Sequence, residues 1–380
     1  RGKETDRLSA DALEVSPGPD PREMDMLLST GERISCALCA MAIHDLGHEA
    51  LSLTGSQAGI VTDTSHTKAR ILDVRAERIA AALDAEKIVL VAGFQGVSGT
   101  ARNVTTLGRG GSDTTAVAVA AALDAEVCEI YTDVSGVFTA DPRIVPEARK
   151  LPTISFEEML EMAASGAGVL QLRSVEYARN HGVRIHCRSS FEEAPGTVVV
   201  AEGETMEQPL ITAVTHSTSE ARMTLSGVPD EPGAAARIFM ALADVNINVD
   251  MIVQSEPSSA GGKAEISFTI PREDLRMARA ALEPLIGGSF AELTAHEQMG
   301  KVSIIGAGMR SHPGVAAKVF DVLAREGVNI ELIATSPIKI SCVIDRDRVP
   351  QAVQLLHSAF ELSGPGTIDE EKPFTARQTL

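Results

Sequence analysis

A glycine-rich segment in the first half of the chain has the composition of an anion-binding loop. Residues 105–115 read TTLGRGGSDTT and run directly into Ala116–Leu123, an apolar stretch predicted to form a helix. Glycines let backbone N–H groups approach a ligand, Ser112 or Asp113 can cap the helix, and the positive end of its dipole lies beside them. Arg109 adds a planar guanidinium suited to a carboxylate or a phosphate. A flexible turn before a helix would explain the glycines but not the arginine, so we expect an anion site.

A second polar segment follows the next predicted strand. Thr132 and Asp133 come directly after Val127–Tyr131, and Arg143 follows in a loop punctuated by proline. An ordinary strand exit capped by Thr and Asp is one interpretation, and the edge of a nucleotide site is the other. The sequence has neither Gly-x-Gly-x-x-Gly opening a helix directly after a strand nor Gly-x4-Gly-Lys-Ser/Thr. This argues against dinucleotide-binding enzymes and Walker-type ATPases.

A third candidate is Ser29–Arg33, which interrupts the apolar stretch Met24–Leu46, predicted to form one long helix. Gly31 within it costs about 1 kcal/mol relative to alanine in a helix, so its presence requires a reason. Close approach of a ligand near Glu32 is one reason, and a turn of surface helix is the other. Spacing alone does not decide between them.

The elements around these residues alternate between predicted strands and helices. The β-branched runs Lys87–Ala92 and Val127–Tyr131 suit strands buried on both faces, and the helix Ala116–Leu123 lies between them. This order favours parallel pairing. The turns Gly93–Gly96 and Gly108–Gly111 fall at strand ends, where open parallel sheets bind ligands. We therefore predict an α/β domain with a mainly parallel sheet sandwiched by helices.

The second half of the chain contains an internal repeat. Pro232–Ile252 aligns without a gap on Pro313–Ile333, with nine identities in twenty-one positions. Each copy is predicted to form a βαββα unit entered through a Pro-Gly loop. A strand at Ser289–Leu293 would complete the first copy as a ferredoxin-like βαββαβ module. The polar stretch Ala201–Pro209 is predicted to be the linker that precedes both modules.

Each Pro-Gly loop has the features of a site for a small amino acid. A helix that begins there presents N–H groups to a carboxylate. Asn248 and Asp250 in the first copy, and Asn329 and Glu331 in the second, follow on the next strand and could receive an ammonium group. The modules are therefore predicted to bind amino acids, and dimerisation alone is the alternative interpretation.

Composition narrows the class of protein further. The 380 residues include 34 Lys and Arg against 52 Asp and Glu, a formal net charge of -18, so we expect neither nucleic acid nor an anionic membrane as a partner. The apolar run Ile34–Ile43 has about half of the ~20 residues needed to cross a bilayer, and we expect no span. The five scattered cysteines and the absence of a basic and apolar leader favour a reducing, cytoplasmic compartment. Because Arg1 rather than Met comes first, we expect further coding sequence upstream.

Taken together, these motifs resemble those of the aspartate kinases of actinobacteria over nearly the whole chain. The stretches that carry the resemblance are Ser29–Ser35, LTGSQAG at Leu53–Gly59, VAGFQG at Val91–Gly96, TTLGRGGSDTTA from Thr105, YTDV and FTADPR between Tyr131 and Arg143, and the two Pro-Gly repeats. The resemblance implies an amino-acid-kinase catalytic domain at residues 1–203, N-terminally truncated, and ACT domains at residues 210–294 and 300–366. It implies phosphorylation of the L-aspartate side chain by ATP to 4-phospho-L-aspartate, the first step towards lysine, threonine and methionine.

The resemblance also implies roles for individual residues. Arg109 would hold the α-carboxylate of aspartate, Glu32 its ammonium group, and Asp113 would organise the phosphate-transfer centre. Ser112 and Thr5 would also contact aspartate. The nucleotide would be held by Gly108, Gly110, Gly111, Thr132, Asp133, Phe138, Arg143 and Gly168. The effectors lysine and threonine would be held by Asp230, Gly233, Ala235, Asn248, Asp250, Gln254, Ser311, Gly314, Asn329 and Glu331, where ACT domains pair between chains of a homo- or hetero-oligomer. Mg²⁺ is inferred from the chemistry of ATP, since the sequence shows no ligand cluster.

Three departures from the family pattern concern charge near the anionic reactants. The sequence begins after the family's first strand and its Lys-Phe/Tyr-Gly-Gly motif, and Gly168 stands where the family has a nucleotide-binding lysine. The family's Gly-x-Thr-Thr-Asp reads Gly2-Lys3-Glu4-Thr5-Asp6 here, which adds a carboxylate. Each change removes positive charge or adds negative charge. The alternative expectation is therefore a catalytically impaired, amino-acid-sensing regulatory subunit derived from an aspartate kinase.

Overall fold

The structure is a computed structural model that describes residues 4–202, 210–255, 263–312 and 314–363, apart from the side chains of residues 310 and 311. The predicted linker Ala201–Pro209 therefore lies almost entirely outside the described residues. Contacts between residues divide the chain into two compact units. The first comprises Arg1–Val137, Pro152–Ala163 and Gly168–Glu204, and the second comprises Phe138–Leu151, Ala164–Ala167 and Thr205–Leu380.

The first unit combines helices with short strands. Its helices are α1 (Glu4–Val15), α2 (Pro21–Leu28), α3 (Thr30–Asp45), α4 (Glu77–Asp84), α5 (Gly111–Ala122), α6 (Phe156–Ala164) and α7 (Leu172–His181). Its strands are β1 (Ala50–Leu53), β2 (Ile60–Thr62), β3 (Ile71–Val74), β4 (Ile88–Val91), β5 (Gln95–Ser98), β6 (Val104–Thr106), β7 (Cys128–Thr132), β8 (Thr153–Ser155), β9 (Ile185–Ser189) and β10 (Thr197–Val200). The alternation of short apolar strands with helices predicted from the sequence is confirmed.

Strand pairing in this unit is mixed, with both parallel and antiparallel pairs. β1 pairs with β4, β2 with β5, β7 with β9 and β10 with β8, all in parallel. Antiparallel pairs join β2 to β3, β5 to β6 and β10 to β9. The apolar core includes Leu53, Ile60 and Ile79, against which α5 packs through Val119. β4 and β7 do not pair with each other in the described residues, so the default expectation that consecutive buried strands are partners was wrong.

Two further boundaries differ from the sequence prediction. The loop between β4 and α5 folds into a hairpin of β5 and β6, which the polar composition of Gln95–Ser98 concealed. The stretch Met24–Leu46 is not one helix but α2 and α3, which meet at Ser29. Ser29 donates its backbone N–H to the carbonyl of Asp25, ending α2, while Thr30 begins α3.

The helix pair Pro21–Asp45 is long and apolar enough, by length and composition alone, to cross a membrane. Helices of soluble proteins pass the same test. In this pair Asp25 is fully buried among hydrogen-bond donors of the first unit, and Arg33 donates to the side chain of Gln95. These polar contacts bind both helices to the rest of the unit.

The second unit is built on a single antiparallel sheet of six strands in the order β12-β13-β11-β14-β16-β15. The strands are β11 (Ala213–Pro229), β12 (Ile252–Gln254), β13 (Lys263–Pro271), β14 (Glu292–Ile305), β15 (Leu332–Ser336) and β16 (Lys339–Asp345). The helices are α8 (Ala234–Asp244), α9 (Leu275–Leu282), α10 (Val315–Arg325) and α11 (Val349–Ala359). Apolar cores form around Ile238 and Phe268 and around Val319 and Val353, and a smaller apolar cluster contains Met251, Met299, Leu332 and Val343.

The repeat is visible in the fold, since α8 and α10 occupy matching positions of the two copies. The modules are nevertheless joined more closely than expected. Only the last two residues of the predicted strand Ser289–Leu293 lie in a strand, because β14 begins at Glu292. β14 then continues without a break to Ile305 and also supplies the first strand of the second copy. β11 pairs with β14 from Ala213 to Ser226. The two ferredoxin-like modules therefore share one sheet.

Candidate active site

The glycine-rich loop forms a left-handed turn at the start of α5. Gly108 and Gly110 have φ angles of 78° and 68°, a conformation that glycine adopts without the steric cost other residues meet. Gly110 is the N-cap residue of α5, so the prediction that Ser112 or Asp113 caps the helix was wrong. Both instead lie in the first turn, and no side chain among the described residues caps the helix. The positive end of α5 is thereby left for a ligand.

Close packing explains why glycines are needed on both sides of Arg109. A Cβ atom on Gly110 would lie 1.9 Å from Cγ of Gln171, the residue before α7. A Cβ on Gly111 would lie 2.9 Å from both Phe94 and Leu107. Arg109 itself is exposed, on a loop held by its neighbours. The loop therefore presents one exposed cation from a closely packed main chain.

The turn after β4 connects the starts of α5 and α3. Phe94 has a φ of 67°, unusual for a residue other than glycine, and its N–H donates to Oγ1 of Thr115 in α5 (3.1 Å). The buried side chain of Gln95 donates through Nε2 to the carbonyl of Ser29 (2.9 Å) and accepts from Nε of Arg33 (3.0 Å). Sequence reasoning gave neither Phe94 nor Gln95 a role. A phenylalanine and a glutamine between two glycines, directly after a buried strand, are the signal that could have indicated one.

Glu32 lies in the first turn of α3, next to this connection. Its side chain is half-buried, and its Oε2 atom is buried without a hydrogen-bond partner in the described part of the chain. Burial raises the pKa of this carboxyl above its ordinary value of 4.5. A buried carboxylate oxygen without a donor is costly unless something else supplies one. Glu32 is therefore suited to receive a cationic group of a ligand.

The preceding residue, Gly31, is buried against α1. A Cβ atom there would meet the side chains of Glu4 (3.5 Å) and Leu8 (3.9 Å), which are ordinary van der Waals distances. Packing alone therefore does not require a glycine at this position, and neither of the two reasons expected from the sequence is decided. Thr5, half-buried on α1, follows Glu4 directly.

Asp113 is partly buried in the first turn of α5. Burial raises the pKa of its carboxyl, and a hydrogen bond from the backbone N–H of Gln171 acts in the opposite direction. Its negative charge is felt by Cys128 in β7, where burial first and Asp113 second raise the thiol pKa to about 11. Asp113 is half-buried, whereas Ser112 is exposed. Gly168, before α7, lies in open space, since a Cβ atom added there would have no atom of the described part of the chain within 4 Å, and its φ is not left-handed.

The residues expected to hold a nucleotide divide between the two units. Thr132 ends β7 and donates from Oγ1 to Oδ1 of Asp133 (3.1 Å), a bond between two side chains that decides between neither of the two interpretations. Phe138 and Arg143 belong to the second unit. There the guanidinium of Arg143 donates to both carboxylate oxygens of Asp141, at 2.7 Å from Nη2 to Oδ2.

The repeated acids of the second unit are already paired with basic side chains. Glu331 accepts from Nη1 of Arg222 (2.7 Å) and from Nδ2 of Asn329 (2.9 Å). Asp250 accepts from Nζ of Lys301 (2.5 Å), a side chain that is only 4% exposed. Burial opposes the charge of Lys301, but its two carboxylate neighbours more than offset this, so its pKa is raised.

The other predicted effector residues lie around these acids and the helix starts. Gly233 and Gly314 are the left-handed N-cap residues of α8 and α10, with φ angles of 94° and 98°. Those with described and exposed or half-buried side chains are Asp230, Ala235, Asn248, Gln254 and Asn329. The side chain of Ser311 and the whole of Pro313 lie outside the described residues.

Comparison with known proteins finds both kinds of domain that the sequence predicts. The profile of the amino acid kinase family matches residues 2–189, and that of the ACT domain matches residues 211–284 and 302–360. An aspartokinase from Mycolicibacterium smegmatis is 56% identical over 368 residues, covering 96% of this chain and 87% of the relative. An aspartokinase from Corynebacterium glutamicum is 54% identical over 366 residues, with the same coverage of 96% and 87%. The chain belongs to the aspartokinase family.

Solved structures of the family agree in fold. Escherichia coli aspartokinase III in complex with aspartate and ADP matches with a TM-score of 0.78 at 28% identity, over 94% of this chain and 80% of that one. Its complex with lysine and aspartate matches with a TM-score of 0.70 at 29% identity, over 94% and 81%. The expected family, the mixed α/β fold with ACT domains and the function as an ATP-using aspartate kinase are confirmed.

Proposed function

We propose that phosphoryl transfer from ATP to the side-chain carboxylate of L-aspartate takes place at the N-terminus of α5. The observation that carries this assignment is the exposed Arg109, presented on a left-handed glycine turn at an uncapped helix start. Both reactants are anions, so the reaction needs positioning and fixed positive charge more than a covalent nucleophile. The loop and the helix dipole provide both.

Aspartate is assigned to the space served by Arg109 and Glu32. The guanidinium of Arg109 forms a bidentate pair with the α-carboxylate, and the partnerless carboxylate oxygen of Glu32 accepts from the ammonium group. Ser112 and Thr5 are assigned further hydrogen bonds to the substrate. With the two ends of aspartate held, its side-chain carboxylate is free to attack the γ-phosphorus of ATP.

The phosphates of ATP are assigned to the backbone N–H groups of Gly108, Gly110 and Gly111. Asp113, partly buried at the start of α5, organises the transfer centre between the two anions. Thr132 and Asp133 are assigned to the nucleotide, as is Gly168, where open space is available. The roles of Phe138 and Arg143 are carried by the resemblance of their motif alone.

Mg²⁺ is proposed to accompany ATP. Within the described ranges, no group of three or more His, Cys, Asp or Glu residues is placed to hold a metal ion. Mg²⁺ does not need such a group, because it keeps several waters and is usually bound through one or two carboxylates together with substrate phosphates. Asp113 is the carboxylate we assign to it, and the ion would neutralise charge on the transferring phosphate.

Regulation is assigned to the second unit. Lysine and threonine are the proposed effectors, with carboxylates at the starts of α8 and α10 and ammonium groups near Asp250 and Glu331. Because both acids already have basic partners, an effector must exchange with Lys301 or Arg222. We further propose assembly into homo- or hetero-oligomers through the ACT domains, a cytoplasmic location, and domain boundaries at residues 1–203, 210–294 and 300–366.

Trapping of the acyl phosphate by hydroxylamine tests the proposed site. With aspartate, ATP and Mg²⁺, Arg109→Met is expected to raise the KM for aspartate by roughly tenfold to a hundredfold, the loss of a charge-assisted bidentate contact. Arg78→Met, the same change on the exposed side of α4, is the matched control and should leave KM unchanged. Equal KM values in the two variants would contradict the assignment. Lysine and threonine, added singly and together, test the regulatory part.

A further inference from the structure

Asp25 and Arg173 carry opposite charges, and their side chains are buried and half-buried. Both bind the segment that leads to Arg109 and the neighbouring loop between β2 and β3. Neither is exposed enough to be an ordinary surface charge: Asp25 is 0% exposed, and burial lowers the pKa of Arg173. Burying a charge is costly unless its hydrogen bonds are satisfied. The groups that satisfy them show what each side chain does.

Asp25, in the middle of α2, receives donors from two distant segments. Oδ1 accepts from Oγ1 of Thr106 (2.5 Å) and from the N–H of Thr67 (3.0 Å). Oδ2 accepts from Nδ1 of His66 (2.6 Å). One carboxylate therefore ties the end of β6 and the loop between β2 and β3 to α2.

Arg173, in the first turn of α7, binds the same two segments from another side. Nη1 donates to the carbonyl of Leu107 (2.6 Å), and Nη2 donates to the carbonyl of Ala69 (2.9 Å). The segments also contact each other directly, since the N–H of Ala69 donates to the carbonyl of Thr106 (2.9 Å). The guanidinium fork spans two backbone carbonyls, which an ammonium group on a single stem cannot do with the same geometry.

These contacts end immediately before the loop that carries Arg109. Leu107, whose carbonyl Arg173 binds, precedes Gly108. A Cβ atom on Gly108 would lie 3.1 Å from the carbonyl oxygen of Thr67, the residue whose N–H Asp25 accepts. The backbone at Gly108 is thus packed against one of the two segments and covalently continuous with the other.

We infer that Asp25 and Arg173 are positioning residues that fix the main-chain path of Gly108 and thereby place Arg109 for the α-carboxylate of aspartate. The inference rests on the proposed role of Arg109 as the carboxylate ligand. Neither residue is assigned a contact with the substrate. The carboxylate oxygens of Asp25 accept hydrogen bonds from His66, Thr67 and Thr106 instead. Their effect on the reaction passes through the loop, and a displacement of about 1 Å at such a site can cost roughly a hundredfold in rate.

The test compares single and double variants of the full chain. Arg173→Lys keeps the charge but loses the fork, and it is expected to raise the KM for aspartate about tenfold or more. The KM for ATP should rise as well, because the N–H of Gly108 is assigned to the phosphates. Asp25→Asn should act in the same direction. In the double variant with Arg109→Met, Arg173→Lys should add little further rise, because a residue that works through Arg109 has nothing left to position. Arg348→Lys is the matched control, since Arg348 also donates to a backbone carbonyl, that of Glu326 (2.8 Å), in the second unit.

The outcomes separate this inference from the proposed function. Multiplying effects of Arg173→Lys and Arg109→Met would overturn the positioning role, as would a wild-type KM in Arg173→Lys. An unchanged KM in Arg109→Met alone would instead overturn the assignment of Arg109. If Arg173→Lys fails to fold, Thr106→Val removes one donor to Asp25 without changing shape, and the same single and double comparisons apply to it.

Discussion

Glu32→Gln is expected to weaken the binding of aspartate without lowering the stability of the protein. The change preserves the shape of the side chain and removes its charge. In the protein without ligand, Oε2 of Glu32 has no hydrogen-bond partner in the described residues, and burial raises the pKa of the carboxyl. A raised carboxyl pKa means that the folded state disfavours the ionised form, so at neutral pH the charge reduces stability. Glutamine should therefore leave the thermal midpoint of the ligand-free protein unchanged or raise it.

Aspartate binding should respond in the opposite direction. A hydrogen bond between charged groups contributes about 1.5–3 kcal/mol, which corresponds to a rise of roughly 10- to 150-fold in the KM for aspartate in Glu32→Gln. In the wild type, the same KM should rise as the pH falls through the pKa of Glu32, which lies above 4.5. The variant should lose this part of the pH dependence, because it has no proton to take up.

The measurement is the rate of acyl phosphate trapping against aspartate concentration at several pH values, with a thermal unfolding curve for each protein. Glu23→Gln is the matched control, because Glu23 lies exposed on α2 and undergoes the same chemical change. A KM for Glu32→Gln within about twofold of the control, against the at least tenfold rise expected from a lost charged hydrogen bond, would refute the assignment. So would a lower thermal midpoint joined to an equal fall in the maximal rate, since that pattern belongs to damaged packing.

Two further predictions concern charge elsewhere in the chain. Gly168→Lys should fold normally, since the position has open space and no left-handed φ. It should raise the rate of the reaction at low ATP about tenfold or more if a cation there contacts the phosphates. Gly182→Lys is the control, also in open space but at a left-handed φ, and it should not raise this rate. Burial lowers the pKa of His357, which is hydrogen-bonded to Oγ1 of Thr139 (2.9 Å), so the unfolded state takes up the proton first and stability should fall as the pH drops below about 6.5. Thermal midpoints of wild type and His357→Gln across this range should differ in slope, and parallel curves would contradict the reasoning.

Local patterns predicted the parts of the fold that local physics determines. The aligned repeat placed α8 and α10 correctly, since apolar residues at helical spacing after a Pro-Gly loop specify a helix with little help from distant residues. The glycines around Arg109 predicted the turn that leads into α5 because left-handed turns demand glycine. The capping residue was wrong because Gly110 itself takes the N-cap position once the loop has packed against Gln171.

What the sequence did not reveal depends on contacts between distant residues. Asp25 is 81 residues from Thr106, and Arg173 is 104 residues from Ala69. An aspartate in a short amphipathic helix and an arginine in a first turn resemble surface charges until those partners are known. The β5 hairpin strand was missed for a related reason. Its sequence, Gln95–Ser98, lacks alternating apolar residues, and its pairing with β6 is what makes it a strand.

The unbroken course of β14 has a consequence for how such a protein can change over time. A duplicated module that keeps its own separate sheet can be lost, exchanged or transplanted as a cassette. Here a cut between the copies would divide β14 and leave unpaired backbone N–H and C=O groups at the sheet edge of each fragment. Neither copy can therefore be removed without breaking the sheet that both share.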